Sequence, residues 1–102
     1  MAFIDEYNFE FLVNEAEKLV LDELGKQLEV YEPEICRCNE CVVDMAAVAL
    51  NSIKPLYRFS LLGSLYAAQA IHEDSYAQSI REAVAFAIEK VRKNPSHDGI
   101  RE

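Results

Sequence analysis

Residues 34–57 read EICRCNECVVDMAAVALNSIKPLY, and the fold turns on how this stretch is parsed. It opens with Cys36, Cys38 and Cys41, the only three cysteines of the chain. Val42, Met45, Ala46, Ala49, Leu50 and Ile53 then recur at helical spacing and make one apolar face. Asn39 is a favourable N-cap residue, so the pattern predicts a helix from Asn39 to about Ser52. Lys54-Pro55 stops it, because the residue before a proline avoids the α region. Ala46, Ala47 and Ala49 are small, which suits close approach by another helix.

Upstream, Leu12, Ala16, Val20, Leu24 and Leu28 recur every four residues, with Val13, Leu19 and Tyr31 widening the stripe. The spacing predicts a helix from Phe9, with Asn8 as its N-cap and residues 1–8 as a lead-in. Glu10, Glu15, Glu17, Asp22 and Glu23 fill its other face, and Glu32-Pro33 ends it. Gly25 marks a kink or a close helix contact in that element. Downstream, Leu56 to Phe59 reads as extended, and Leu65, Tyr66, Ala68, Ala70 and Ile71 suit a third helix. Glu73-Asp74-Ser75 is a break with an N-cap. Tyr76, Ile80, Ala83, Val84, Ala87, Ile88 and Val91 then set a last helix, with Lys90, Arg92 and Lys93 complementing the dipole at its end. The expected fold is mainly α: a small four-helix-type domain, one unit over 1–102, with a cysteine loop before the second helix.

The 102 residues carry a net charge of −8. Residues 1–35 hold ten acids against Lys18 and Lys26, whereas residues 36–102 balance at eight of each sign. No broad basic face exists, so duplex nucleic acid is not a direct partner. No stretch reaches a membrane span, and MAFIDEYNFEF has no basic region preceding an apolar run, so a cytoplasmic protein is expected. Thiols there stay reduced, and an odd number suits a disulfide framework poorly.

Three thiols within six residues at a loop-to-helix junction suit tetrahedral zinc, whose thiolates sit at about 2.3 Å. The alternative, cysteine as a small hydrophobe, fits less well where Arg37, Asn39 and Glu40 intervene. A fourth ligand is needed. Asp44 and Glu40 are local, and His72 and His97 are the two histidines. If the second and last helices pack antiparallel, His97 comes to the cysteines, which favours it. Between Asp44 and Glu73 there is no acid, and the window contains Lys54, Tyr57, Arg58, Phe59 and Ser60. An arginine fork can hold a phosphate and a ring can stack on a base. The same residues also read simply as a helix-ending turn with two solvated charges. No phosphate-loop, dinucleotide, zincin or nucleophile-elbow motif is present, and nothing asks for an enzyme.

Leu12-Val13-Asn14, the acidic helix with Val20 and Glu23-Leu24, and then C-x-C-x-x-C-x-x-D-x-x-A-x-x-L-N-x-x-x-P-x-Y from Cys36 to Tyr57 resemble the late competence development protein ComFB family. The ending AIEKVRKNPSH at 87–97 is similar to members whose last helix runs into N-P-x-H. The resemblance implies a mainly helical cytoplasmic homodimer with zinc on Cys36, Cys38 and Cys41. Some members carry a further cysteine near the C-terminus, where this chain has His97. It also implies a receptor for the second messenger cyclic di-GMP, which directs attention to Lys54, Tyr57, Arg58 and Ser60 as an anionic dinucleotide site. The function expected is a non-enzymatic cyclic di-GMP receptor with structural zinc, signalling to a protein partner. The rivals are a zinc-stapled accessory protein of competence and DNA uptake without a nucleotide ligand, and a thiol-based redox or metal sensor.

Overall fold

A polar cap rather than the apolar stripe decides where the first helix of this chain starts. The computed structural model describes residues 2–60, 65 and 74–95. The described residues include the helices α1 (Glu15–Val30), α2 (Asn39–Leu50) and α3 (Asp74–Lys93). A two-residue strand β1 (Val13–Asn14) pairs antiparallel with β2 (Tyr57–Arg58), with Val13 opposite Arg58 and Asn14 opposite Tyr57. A 3-10 turn, Phe3–Asp5, precedes them.

Helix α1 starts six residues later than the apolar period predicts. Asn14 is its N-cap, and its side-chain oxygen accepts from the Ala16 N–H at 3.1 Å. The same oxygen accepts from the Leu56 N–H at 2.8 Å, so the cap also fastens the approach to β2. Asn8 instead caps a turn, accepting from the Glu10 N–H. Leu12, expected in the core, is 48% exposed. From Ala16 onward the stripe is as expected: Ala16, Val20, Leu24 and Leu28 are buried. Gly25 lies on the exposed face, and a Cβ built there meets nothing within 4 Å, so no close helix contact among the described residues explains it.

Cys41, Met45, Ala46 and Ala49 form the buried face of α2, while Ala47 is exposed. Tyr76, Ile80, Ala83, Val84, Ala87, Ile88 and Val91 form that of α3. Short alanine side chains on both faces let this helix pair pack closely. Val20, Met45, Val84 and Ile88 are essentially sealed from water, and burying such a side chain stabilises by about 1.5–3 kcal/mol. Helix α3 runs antiparallel to α2: its start meets the end of α2, where the Tyr76 hydroxyl donates to the Lys54 carbonyl at 2.8 Å. Its end lies beside the start of α2, because Val91 and Arg92 share a cavity with Cys36 and Cys41. The Tyr31 hydroxyl donates to Glu89, which also takes Arg92 at 2.8 Å, and this ties the end of α1 to α3. Asp74 and Ser75, expected within a break, lie inside α3, and Glu73 lies outside the described residues. Apart from Leu65, which is helical, the third helix expected over 65–71 lies outside the described residues.

Candidate metal centre and the β2 segment

Helix α1 ends at Val30, capped by Tyr31, and the chain turns through residues 31–38 into α2. The N-cap of α2 is Cys38, one residue before the expected Asn39. Its sulfur accepts from the Cys41 N–H at 3.4 Å, so a thiol occupies the position usually held by a hydroxyl or carboxamide. Cys36 and Cys38 are exposed, whereas Cys41 packs into the core at 1% exposure. The three sulfurs lie within 4.8 Å of one another and can hold a metal ion. Thiolates at about 2.3 Å around a tetrahedral metal stand roughly 3.8 Å apart, so the trio needs to close by only about an ångström.

The local field separates the thiols. The Cys41 N–H aimed at Cys38 holds that thiol below the usual cysteine value. Burial, then the neighbouring Cys38 and Cys36, push Cys41 up to about 12. Cys38 therefore gives up its proton more readily than Cys41. The latter stays protonated until a cation displaces its proton.

A cavity of about 210 Å³ opens beside this trio, lined by Cys36, Cys41, Met45, Val91, Arg92 and Pro95 among others. The end of α3 thus arrives where the antiparallel expectation put it. His97 and His72 lie outside the described residues. Of the local carboxylates, Asp44 is half-buried and Glu40 is exposed.

The second expected site has a different geometry. Lys54 and Ser60 are exposed, and Tyr57 is 58% exposed. Arg58 is half-buried and pairs with Glu15, a partner that the sequence reading did not identify. Arg58 lines an open groove of about 440 Å³ whose walls include Glu15, Glu17, Lys18, Leu21 and Asp22. Lys54 makes a separate contact through its carbonyl with Tyr76.

A third feature escaped the sequence reading altogether. Phe3, Tyr7 and Phe9 stack on one another, with ring centroids 4.9 to 6.5 Å apart. Phe9, Leu12, Phe59 and Asn8 line a mostly apolar groove of about 240 Å³ beside them. The available signal was the density of large apolar residues in the first twelve positions, Phe3, Ile4, Tyr7, Phe9, Phe11 and Leu12.

The family model described as late competence development protein ComFB matches residues 13–95. Among solved structures, the late competence protein ComFB from Bacillus subtilis is similar at a TM-score of 0.64 and 22% identity. The match covers 83% of this chain and 94% of that one, and it carries the fold alone. No curated protein sequence matches the chain.

Proposed function

Because the chain belongs to the late competence development protein ComFB family, we propose that it is a non-enzymatic, metal-stapled signalling protein of the cytoplasm, a homodimer that binds cyclic di-GMP through its β2 segment. The ligand class comes from the resemblance of the sequence to that family. The observation that supports the site is the surface position of Tyr57 next to Arg58 on β2, inside a stretch free of acids. Tyr57 offers a face for a guanine base, Arg58 and Lys54 offer charge to the phosphates, and Ser60 offers a hydroxyl. Glu15 now occupies the Arg58 guanidinium. Binding is then an exchange of one anion for another at that fork.

The cysteine trio fits zinc by donor type, since soft thiolates in a tetrahedral set select it. Cys36, Cys38 and Cys41 would hold the ion, with His97 as fourth ligand. Pro95 stands on the wall of the adjacent cavity, and two further residues span up to about 7 Å. Bound zinc would supply a cross-link between the loop, the start of α2 and the chain end, not a reaction centre.

Calorimetry of the zinc-loaded protein with cyclic di-GMP tests the reading. Arg58→Ala is expected to weaken binding at least about tenfold, or ~1.4 kcal/mol, and Glu15→Gln to strengthen it by removing the competing carboxylate. No heat with the wild-type protein ends the nucleotide reading, and an Arg58→Ala variant that binds normally moves the site off β2.

One observation favours a second reading. With Arg58 matched by Glu15, the groove over α1 keeps Glu17 and Asp22 against Lys18 and is net acidic. An accessory protein without a nucleotide ligand would use it to dock a basic partner. Charge reversal at Glu17 and Asp22 would then abolish partner capture while calorimetry stays silent.

A further inference from the structure

We propose that Arg92 is a positioning residue of the metal centre: its guanidinium, on the wall of the cysteine cavity at the end of α3, offsets the charge that the three sulfurs carry once a metal is bound. The inference rests on the zinc reading and adds to it a residue that is not itself a ligand.

Three thiolates around a divalent cation leave a net negative charge, and a neutral imidazole as fourth ligand does not change it. Such a charge away from bulk water is costly unless donors or cations stand beside it. Of the described residues lining the cavity that Cys36 and Cys41 share, Arg92 is the one cation and Glu34 the one acid. Arg37 stands between Cys36 and Cys38 in the chain, but it is exposed and is not part of that wall.

Arg92 is held in place by α3 and α1 together. Its Nε and Nη2 donate to one oxygen of Glu89, at 3.2 and 2.8 Å, and the Tyr31 hydroxyl donates to the other. The hydrogen bonds from Tyr31 and then Arg92 keep Glu89 below the usual carboxylate range, so it stays charged. A guanidinium carries more N–H groups than this carboxylate oxygen takes, and the rest of those on Arg92 have no partner among the described residues. Glu89 is not among the described residues of the cavity wall, so the pair presents its positive end there. Groups of this kind outside the ligand set orient the ligands and tune the metal, and losing one costs about 10–100-fold in affinity. The Arg92 side chain is 36% exposed, so salt reaches it and screens its effect.

Zinc affinity of the full chain, measured by competition with a chromophoric chelator at low and high salt, tests this. Arg92→Gln is expected to weaken zinc binding about 10–100-fold at low salt, with the gap narrowing as salt rises, and Arg92→Lys to recover most of the loss. The cobalt-substituted variants should keep the thiolate charge-transfer band of the wild type, because the ligands are the same. Glu89→Gln cuts the tie to α1 but keeps the Arg92 charge, and should bind zinc at least as tightly as the wild type. Arg37→Gln removes an equal charge from the loop and should cost far less than Arg92→Gln. Wild-type affinity in Arg92→Gln, an Arg92→Lys variant as weak as Arg92→Gln, or an equal loss in Glu89→Gln or Arg37→Gln overturns the role of Arg92 and leaves the zinc staple standing. A wild-type protein that takes up no zinc overturns the staple and this role with it.

Discussion

Asn14 does the most structural work for its size. Its one side-chain oxygen caps α1 at the Ala16 N–H and accepts from the Leu56 N–H. Its neighbour Glu15 donates its N–H to the Leu56 carbonyl at 2.8 Å. Removing a cap alone costs about 1 kcal/mol, and leaving Leu56 N–H without an acceptor in a part-buried place adds about 1–3 kcal/mol. Asn14→Ala is therefore expected to destabilise by about 2–4 kcal/mol in urea denaturation with an unchanged slope, and Asn14→Asp, which keeps the acceptor, by much less. Equal losses for the two would mean that the amide N–H₂, not the oxygen, matters. The sequence contained this residue in plain view but did not reveal its role, because both Asn8 and Asn14 precede apolar residues at helical spacing. The choice between them is made by Leu56, forty-two residues away in the chain.

Helix α1 carries a second local feature, the glycine in its middle. Gly25 costs about 1 kcal/mol against alanine in a helix interior. Among the described residues, no other part of the fold lies within 4 Å of where its Cβ would be. Gly25→Ala is accordingly expected to stabilise by about 1 kcal/mol and raise the melting midpoint by about 4–8 °C. A melting scan with no rise would show that the bare backbone serves a contact outside the chain. At the same scale, the start of α2 differs from the sequence expectation by one residue, and the difference has a physical reason. Asparagine is a better cap by frequency, but Cys38 is the residue whose side chain reaches the Cys41 N–H. The cap and the candidate metal centre are thus the same atoms.

Among the described residues, helices α1, α2 and α3 meet along one core, and the cysteine trio sits at the end where α2 starts and α3 stops. A metal there would lock loop, helix and chain end together. One zinc per chain is expected by elemental analysis, and a chelator should lower the melting midpoint. Cys41→Ser should abolish both the zinc and the chelator effect. A chelator-insensitive protein with no metal would leave the trio as ordinary thiols. The metal-free protein has its own pH signature. Cys41, raised from 9.0 to about 12, adds stability that is complete below 9.0 and is lost as pH rises through about 12. The zinc form behaves oppositely at the acid end, because protons compete for the sulfurs.

Local order carried the sequence a long way: the apolar stripes of the three helices α1, α2 and α3, the extended piece at Tyr57–Arg58 and the cysteine trio follow from periodicity and spacing, whereas α2 ends at Leu50, five residues before the proline expected to stop it. These are properties of neighbours three to five residues apart. Only the tertiary structure decided that α1 begins at Asn14, that Leu12 stays at the surface, that Glu15 holds Arg58, and that Phe3, Tyr7 and Phe9 gather outside the core. Each of these depends on which distant group arrives within hydrogen-bond or van der Waals reach. A helical period states which face is apolar. It does not state where the chain leaves the helix, or what covers that face.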